Sequence, residues 1–501
     1  MNEMVTSIRR LVDNQLQEPW LAIWAAIIGS GIIALAVFKT HLSFTLGLAG
    51  ALIFIVIVAR RIEALIILLI FIIPFQSKLP QSTNVGGGIN VFNILVALLL
   101  LLWFLHKVDG RTIQIKNNAM TWVLLAFYLM VFWGIIRSVH WMGWGIVSQL
   151  INPAKRWILP TFMFFPIAIS NFDKTKLKLL VWAIAAVVFL MAFQSLRDFH
   201  SMGFGHFSDG ARIGGPFGKG GENDLAAFFV YYFPLVAATA FFDKKIINKF
   251  FYYGVVLISI VTILFTYSRG AYLGGAAALI FLGITKKRGL LFLGIILALS
   301  YRLWIPAAVT ERVEMTEKHL IVEEPGEIII APSAIENHFE KSTAMRITIW
   351  KGALKMIQRY PIRGFGFQMF ERFMTNYTQI AYPMDTHNMY LRTAVEHGIP
   401  GLGIFLLLWI VPFIAAFRLY RQGTFPLTKG ISLGLMAGII GIAIVNLWGS
   451  RFFRDELVGL YWIVLGIFYR LKAIEEDRVS QKKNRISSNV GLIEKREFAH
   501  V

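Results

Sequence analysis

The chain has 501 residues, 56% hydrophobic and only 16% charged, with a mean hydropathy of +0.63, which excludes an ordinary soluble protein of this length. It has no cysteine, so disulfides, thiolate chemistry and cysteine-ligated metals are excluded. The net charge of +20 would suit nucleic acid, but in a chain this apolar the cations belong to cytoplasmic loops facing anionic lipid, and nucleic acid is set aside as a partner.

Apolar runs of about twenty residues recur from end to end, the pattern of an all-α polytopic integral membrane protein. Hydropathy places about fourteen transmembrane helices, near residues 20–38, 42–59, 62–76, 89–106, 120–137, 157–171, 178–196, 223–242, 250–268, 271–285, 289–306, 398–417, 430–448 and 455–470. The apolar run from Trp20 to Phe38 follows a polar start without a clear small-residue cleavage site, so it reads as an uncleaved first helix. An even number of spans puts both termini on one side, and the bias of Lys and Arg makes that side the cytoplasm. The chain divides into N-terminal transmembrane helices (1–204), a central region (205–410), C-terminal transmembrane helices (411–470) and a basic cytoplasmic tail (471–501), whose polar composition predicts disorder.

One long hydrophilic interruption, residues 307–390, falls on the outer side. Within it "AMRITIWKGALKMIQRY" carries Ile347, Trp350, Leu354 and Ile357 at helical spacing among Arg346, Lys351, Lys355 and Arg359. This predicts an amphipathic helix lying on the outer membrane surface. In "YPIRGFGFQMF", Pro361, Gly364 and Gly366 then mark a turn.

Several cations fall on the side that the sidedness rule leaves poor in charge. Residues 250–285 are too long for one span and divide at "YSRG" into two helices with a tight outer turn. Arg269 then sits at the interface, not at the bilayer centre, where it would cost about 2.5–3.5 kcal/mol. On the same side lie Lys155 and Arg156 of "INPAKRW", Arg346, and Arg212 and Lys219 in a glycine-rich turn leading into a helix at Glu222. Arginine forks, glycine-rich turns and helix N-termini all suit phosphate, so together they predict an anionic, phosphate-bearing ligand at the outer face. Taken singly, Lys155, Arg156 and Lys219 read better as interfacial residues snorkelling to lipid headgroups. The turn "GGPFGKGG" lacks the strand and the G-K-[ST] ending of a P-loop, which rejects nucleotide binding.

A second constellation is "DTHNMYLRTAVEHGIPGLGIF", where Asp385, His387 and Asn388 stand at the return to the membrane, followed by Glu396 and His397. Histidine can take a proton from a hydroxyl, and a carboxylate can orient it. On one helix, His387 and Glu396 are about 900° of rotation apart and so on opposite faces. Pairing them needs a break or partners from elsewhere. Alternatively, His387 and Asn388 cap a helix. No H-E-x-x-H spacing occurs, and an arginine cluster can neutralise a diphosphate unaided, so neither metal nor cofactor is expected.

The ordered set "TYSRGAYLG", "RITIWKGALKMIQRYPIRGFGF" and "HNMYLRTAVEHGIPGLGIF" resembles the O-antigen ligase and polymerase superfamily across residues 205–410. The resemblance implies a metal-independent, inverting membrane glycosyltransferase of the bacterial inner membrane with a periplasmic active site. Its donor would be a glycan on undecaprenyl diphosphate, and its acceptor a glycan, a lipid A–core sugar or a protein hydroxyl. By that resemblance His387, Arg269 and Arg346 would be catalytic, and Arg212, Arg269 and Arg346 would bind the diphosphate, with Lys219 of the glycine-rich turn added as a further diphosphate candidate. Arg156, Glu222, Asn223, Asp385, Asn388 and Glu396 are secondary candidates; Glu222 and Glu396, together with Asp224, suit orienting loops or arginines better than chemistry. A ligase and a polymerase share this chemistry and differ in acceptor. A transporter or flippase for the same lipid-linked glycan is the alternative from another class. It would place polar groups near the midplane and show symmetric halves, neither of which is evident.

Overall fold

The computed structural model describes residues 61–78, 90–108, 118–200, 212–300, 309–310 and 341–497. The expected spans at 20–38 and 42–59, and residues 311–340 of the long loop, lie outside them. The described residues form helices joined by short turns: α1 (Ile62–Ile72), α2 (Val91–Val108), α3 (Ala119–Met142), α4 (Val147–Ile158), α5 (Phe164–Ala168), α6 (Lys174–His200), α7 (Glu222–Phe242), α8 (Ile246–Phe265), α9 (Arg269–Thr285), α10 (Gly289–Leu299), α11 (Lys341–Arg359), α12 (Phe370–Phe373), α13 (Met389–Gln422), α14 (Pro426–Val445) and α15 (Asp455–Glu497). Among the described residues seven helices are long and apolar enough to cross a membrane, namely α3, α6, α7, α8, α13, α14 and α15. α2 and α9 are shorter apolar helices.

At the centre is α7, buried along nearly its whole length. Its partner α14 runs antiparallel to it and owes its closeness to glycine. A Cβ on Gly434 would lie 2.5 Å from Leu235 Cα, and one on Gly438 would lie 2.9 Å from the Tyr231 carbonyl oxygen. Small residues at four-residue spacing let two backbones touch where lipid supplies no hydrophobic drive. Gly274 brings α9 onto the same seam, with its Cβ position 3.1 Å from the Gly441 carbonyl oxygen. This packing sets the N-termini of α7 and α9 beside the C-terminus of α14.

α13 is broken at Gly398, whose φ is +73°. Pro400 has no N–H, so the Glu396 carbonyl loses its helical partner. The Ile399 N–H turns away to the Pro361 carbonyl at 2.7 Å. The turn after α11 satisfies the two carbonyls left behind: Phe365 N–H donates to Val395 (2.8 Å) and Gly366 N–H to Glu396 (2.9 Å). Phe367 N–H reaches Gly134 of α3 at 3.0 Å, and Ser138 Oγ donates to the Phe367 carbonyl at 2.8 Å. "YPIRGFGF" and "HGIPG" are therefore two halves of one joint, a wedge turn set between α3 and α13. A Cβ on Gly398 would lie 2.2 Å from the Ile362 carbonyl oxygen, so Gly398→Ala should lose at least about 2 kcal/mol. Thermal unfolding in detergent should show a clearly lowered Tm; an unchanged Tm would contradict this joint.

Three expectations change. The run 157–171 is not one helix but the end of α4, a 3-10 turn Leu159–Met163 and α5, because Pro160 and Pro166 interrupt it. The buried face of α11, which packs on α13, carries Ala344, Ile349, Ala353 and Met356, while Leu354 of the expected apolar face is exposed. Small residues allow that approach, and a search for large apolar residues overlooks them. The helix α15 continues to Glu497 where disorder is expected. Pairs such as Lys472–Glu476 (2.6 Å) can carry a polar helix onward.

Candidate functional site

Four helix N-termini, those of α7, α9, α13 and α15, meet at one end of the bundle with the C-termini of α8 and α14. N-terminal dipoles favour anions there. The turn "TYSRG" separates α8 from α9 as its sequence predicts, with Ser268 at the N-cap position and Arg269 the first helical residue. Arg212 is fastened to this turn, donating from Nε to the Thr266 carbonyl (3.1 Å) and from Nη2 to Asn223 Oδ1 (3.1 Å). The N-terminus of α9 lies against the turn between α14 and α15, with the Gly270 Cβ position 3.4 Å from Trp448.

That last turn holds residues the sequence reading misses. Arg451 is buried, and its Nε lies 3.4 Å from Asp224 Oδ1. Arg454, half exposed, lies 3.2 Å from Asp224 Oδ2. Asn446 accepts the backbone N–H groups of Arg451 and Phe452, each at 3.1 Å. The signal was present in "NLWGSRFFRDE", where cations end a span as they do in "YSRG".

His387 sits just outside α13, with Asn388 as the N-cap accepting from the N–H groups of Tyr390 and Leu391, each at 3.0 Å. His387 has φ +50°, and its own N–H donates to Asp385 Oδ2 at 3.0 Å. Its ring Nδ1 is 3.9 Å from the same oxygen. Asp385 Oδ1 accepts from Arg392 Nη1 at 2.6 Å, and Arg392 Nε donates to Glu396 at 3.1 Å. His387, outside the helix, and Glu396, within it, are joined through Asp385 and Arg392. From α11, Trp350 Nε1 donates to the Thr386 carbonyl at 2.9 Å. This seats Arg346, one turn earlier, near enough to act on His387 electrostatically.

Among the described residues, the non-glycine residues with positive φ are Tyr267, Gln368 and His387. Tyr267 is next to Ser268 and Arg269, Gln368 follows the wedge turn, and His387 is the proposed base. Such strain persists only where the surroundings over-determine it.

Burial holds His387 below its ordinary pKa; Asp385 pulls it up, and Arg346 and Arg451 push it down again. Burial would raise the Asp385 carboxyl, but Arg392, His387 and hydrogen bonds overrule it and hold it below its usual value. The pair at neutral pH is therefore a neutral imidazole beside a carboxylate.

The remaining candidates take other places. Glu222 accepts from the Gly220 N–H at 2.9 Å and so closes the glycine turn. Lys219 is exposed in that turn, and Arg156 is exposed on α4 and acts on Asp455. Among the described contacts neither is joined to His387.

The arrangement defines a multi-pass helical membrane protein whose anion-favouring end surrounds a histidine–aspartate pair. Residues 254–406 match the family model described as O-antigen ligase, which supports the resemblance to the O-antigen ligase and polymerase superfamily. The matched stretch includes Arg269, Arg346 and His387 and stops before Arg451. No curated protein matches the chain significantly.

Proposed function

We propose that this protein transfers a glycan from undecaprenyl diphosphate to an acceptor hydroxyl at the periplasmic face of the bacterial inner membrane. The observation that carries the reading is the convergence of Arg212, Arg269, Arg346 and Arg451 with the His387–Asp385 pair at one end of the bundle, where four helix N-termini point. The arginines hold the diphosphate and stabilise its charge as it leaves, each charge-assisted contact contributing about 1.5–3 kcal/mol.

Nδ1 of His387 faces Asp385, which leaves Nε2 to accept the proton of the acceptor hydroxyl. The hydroxyl oxygen bonds to the anomeric carbon from the face opposite the diphosphate. The sugar–phosphate C–O bond breaks, its electron pair leaves on undecaprenyl diphosphate, and the anomeric configuration inverts. α11 and the wedge turn cover this end and limit hydrolysis of the donor by water. The undecaprenyl chain lies between spans in the bilayer.

The acceptor decides between ligase and polymerase, and a deletion strain separates them. Long glycan accumulating on undecaprenyl diphosphate identifies a ligase; single repeat units accumulating there identify a polymerase. A deletion strain in which neither accumulates would contradict the reading.

A further inference from the structure

The geometry points to Arg392 as a positioning residue that ties the orientation of His387 to the seating of the wedge turn. This inference rests on the glycosyl-transfer reading above. Arg392 lies in the first turn of α13 and is 6% exposed, so it is a buried cation and must be matched by partners. It is matched from four directions. Nε donates to Glu396 of its own helix at 3.1 Å. Nη1 donates to Asp385 at 2.6 Å and to Glu371 at 3.3 Å. Nη2 donates to Gln368 at 3.0 Å. The face of the guanidinium lies 4.3 Å from the centre of the Phe453 ring.

These contacts rule out a role as a further diphosphate ligand. Four of the five N–H directions are used and the ring face is covered, so little of the fork is left for substrate. Three carboxylates already surround the one charge. Its neighbours instead show what it joins. Gln368 and Glu371 belong to the wedge segment, just after the glycines that fill the Gly398 break. Asp385 belongs to the re-entering segment of the loop and carries His387. Phe453 belongs to the turn that carries Arg451 and Arg454. One guanidinium is common to all three.

The consequence for His387 is mechanical. Asp385 spends Oδ1 on Arg392 and Oδ2 on the His387 backbone N–H, so its plane is fixed from one side by Arg392. The gap of 3.9 Å from Oδ2 to Nδ1 closes to a hydrogen bond through a small turn of the imidazole, provided the carboxylate stays in place. Resting hydrogen bonds of this kind often tighten only when substrate binds. Gln368 is held at φ +61°, a strained shape that the seated wedge maintains. If the wedge leaves the break, Gln368 and Glu371 leave Arg392, and Asp385 loses its fixed plane. The loop therefore does more than cover the site: its docking and the alignment of the base share one side chain.

The test uses full-length protein in detergent with a lipid-linked glycan donor, comparing wild type, His387→Ala, Arg392→Met, Arg392→Lys and Glu371→Gln. The groups facing His387 are Asp385 from its own segment, Arg346 from α11 and Arg451 from the last turn, and they are unchanged in every Arg392 and Glu371 variant. Arg392→Met should lower kcat about a hundredfold with the donor KM within about threefold of wild type. Its kcat/KM profile should fall more steeply on the acid side, because Asp385, without its guanidinium, titrates closer to His387. Arg392→Lys should not rescue, since a point charge cannot reach four partners. Glu371 is 43% exposed at its side chain, so Glu371→Gln should fold normally and lower kcat several-fold at unchanged KM. If Arg392→Met fails to insert, Glu371→Gln carries the test alone.

Wild-type kcat and acid limb in a correctly inserted variant would overturn the inference, as would a raised KM at unchanged kcat. If wild type transfers no glycan, the glycosyl-transfer reading itself has failed. If wild type transfers, His387→Ala is dead and Arg392→Met is normal, only the role of Arg392 has failed.

Discussion

Arg269→Ala is expected to lower glycan transfer by about a thousandfold or more, with the protein inserted in the membrane at wild-type levels. Arg269 opens α9, three residues after the Thr266 carbonyl that fixes Arg212, so its removal takes a fork from the proposed diphosphate cradle. The side chain is half-buried, and Gly274 brings helix α9 close against α14. Folding should therefore survive the substitution. Arg269→Lys keeps the charge but not the two parallel donors, and should stay about ten- to a hundredfold below wild type. Initial transfer rates on equal amounts of inserted protein check both. Wild-type rates in Arg269→Ala would remove the arginine from the mechanism.

His387→Ala should lower kcat about a hundred- to ten-thousandfold. The pH dependence makes the test sharper. Burial, with Arg346 and Arg451, holds the imidazole below its ordinary value against the pull of Asp385, so the neutral base survives into mildly acid solution. It is lost only as pH falls through that depressed value. The acid limb of wild-type kcat/KM should therefore lie below pH of about 6.5, and His387→Ala should lack it. Asp385→Asn should move the limb lower still, because the carboxylate is the group that raises the histidine. A limb above the ordinary histidine value would contradict the environment described for His387.

Much of this was legible in the sequence. Long apolar runs show the helices, and the misplaced cation in "YSRG" shows a turn at the bundle end, because a charge in lipid is costly enough to force that conclusion. The spacing of His387 and Glu396 forbids direct pairing on one helix, and Asp385 and Arg392 stand between them. What the sequence hides is contact between distant segments. Arg392 reads as one more helix charge until Asp385, Glu371 and Gln368 are seen around it. Arg451 lies outside the familiar motifs, and the carboxylate that meets it, Asp224, is more than two hundred residues away. Gly398 and Pro400 announce a break, but not that the residues around Gly364 and Gly366 fill it. The buried face of α11 is hard to read because Ala344, Gly352 and Ala353 add little apolar weight beside Ile349 and Met356.

The most direct measurement is transfer by the purified protein in detergent, supplied with lipid-linked glycan and a hydroxyl acceptor. The expected result is glycan covalently joined to the acceptor with release of undecaprenyl diphosphate, lost in Arg269→Ala and His387→Ala. Movement of the intact lipid-linked glycan across vesicle membranes, with no transfer to any acceptor in either setting, would contradict it and make the cationic end part of a transporter.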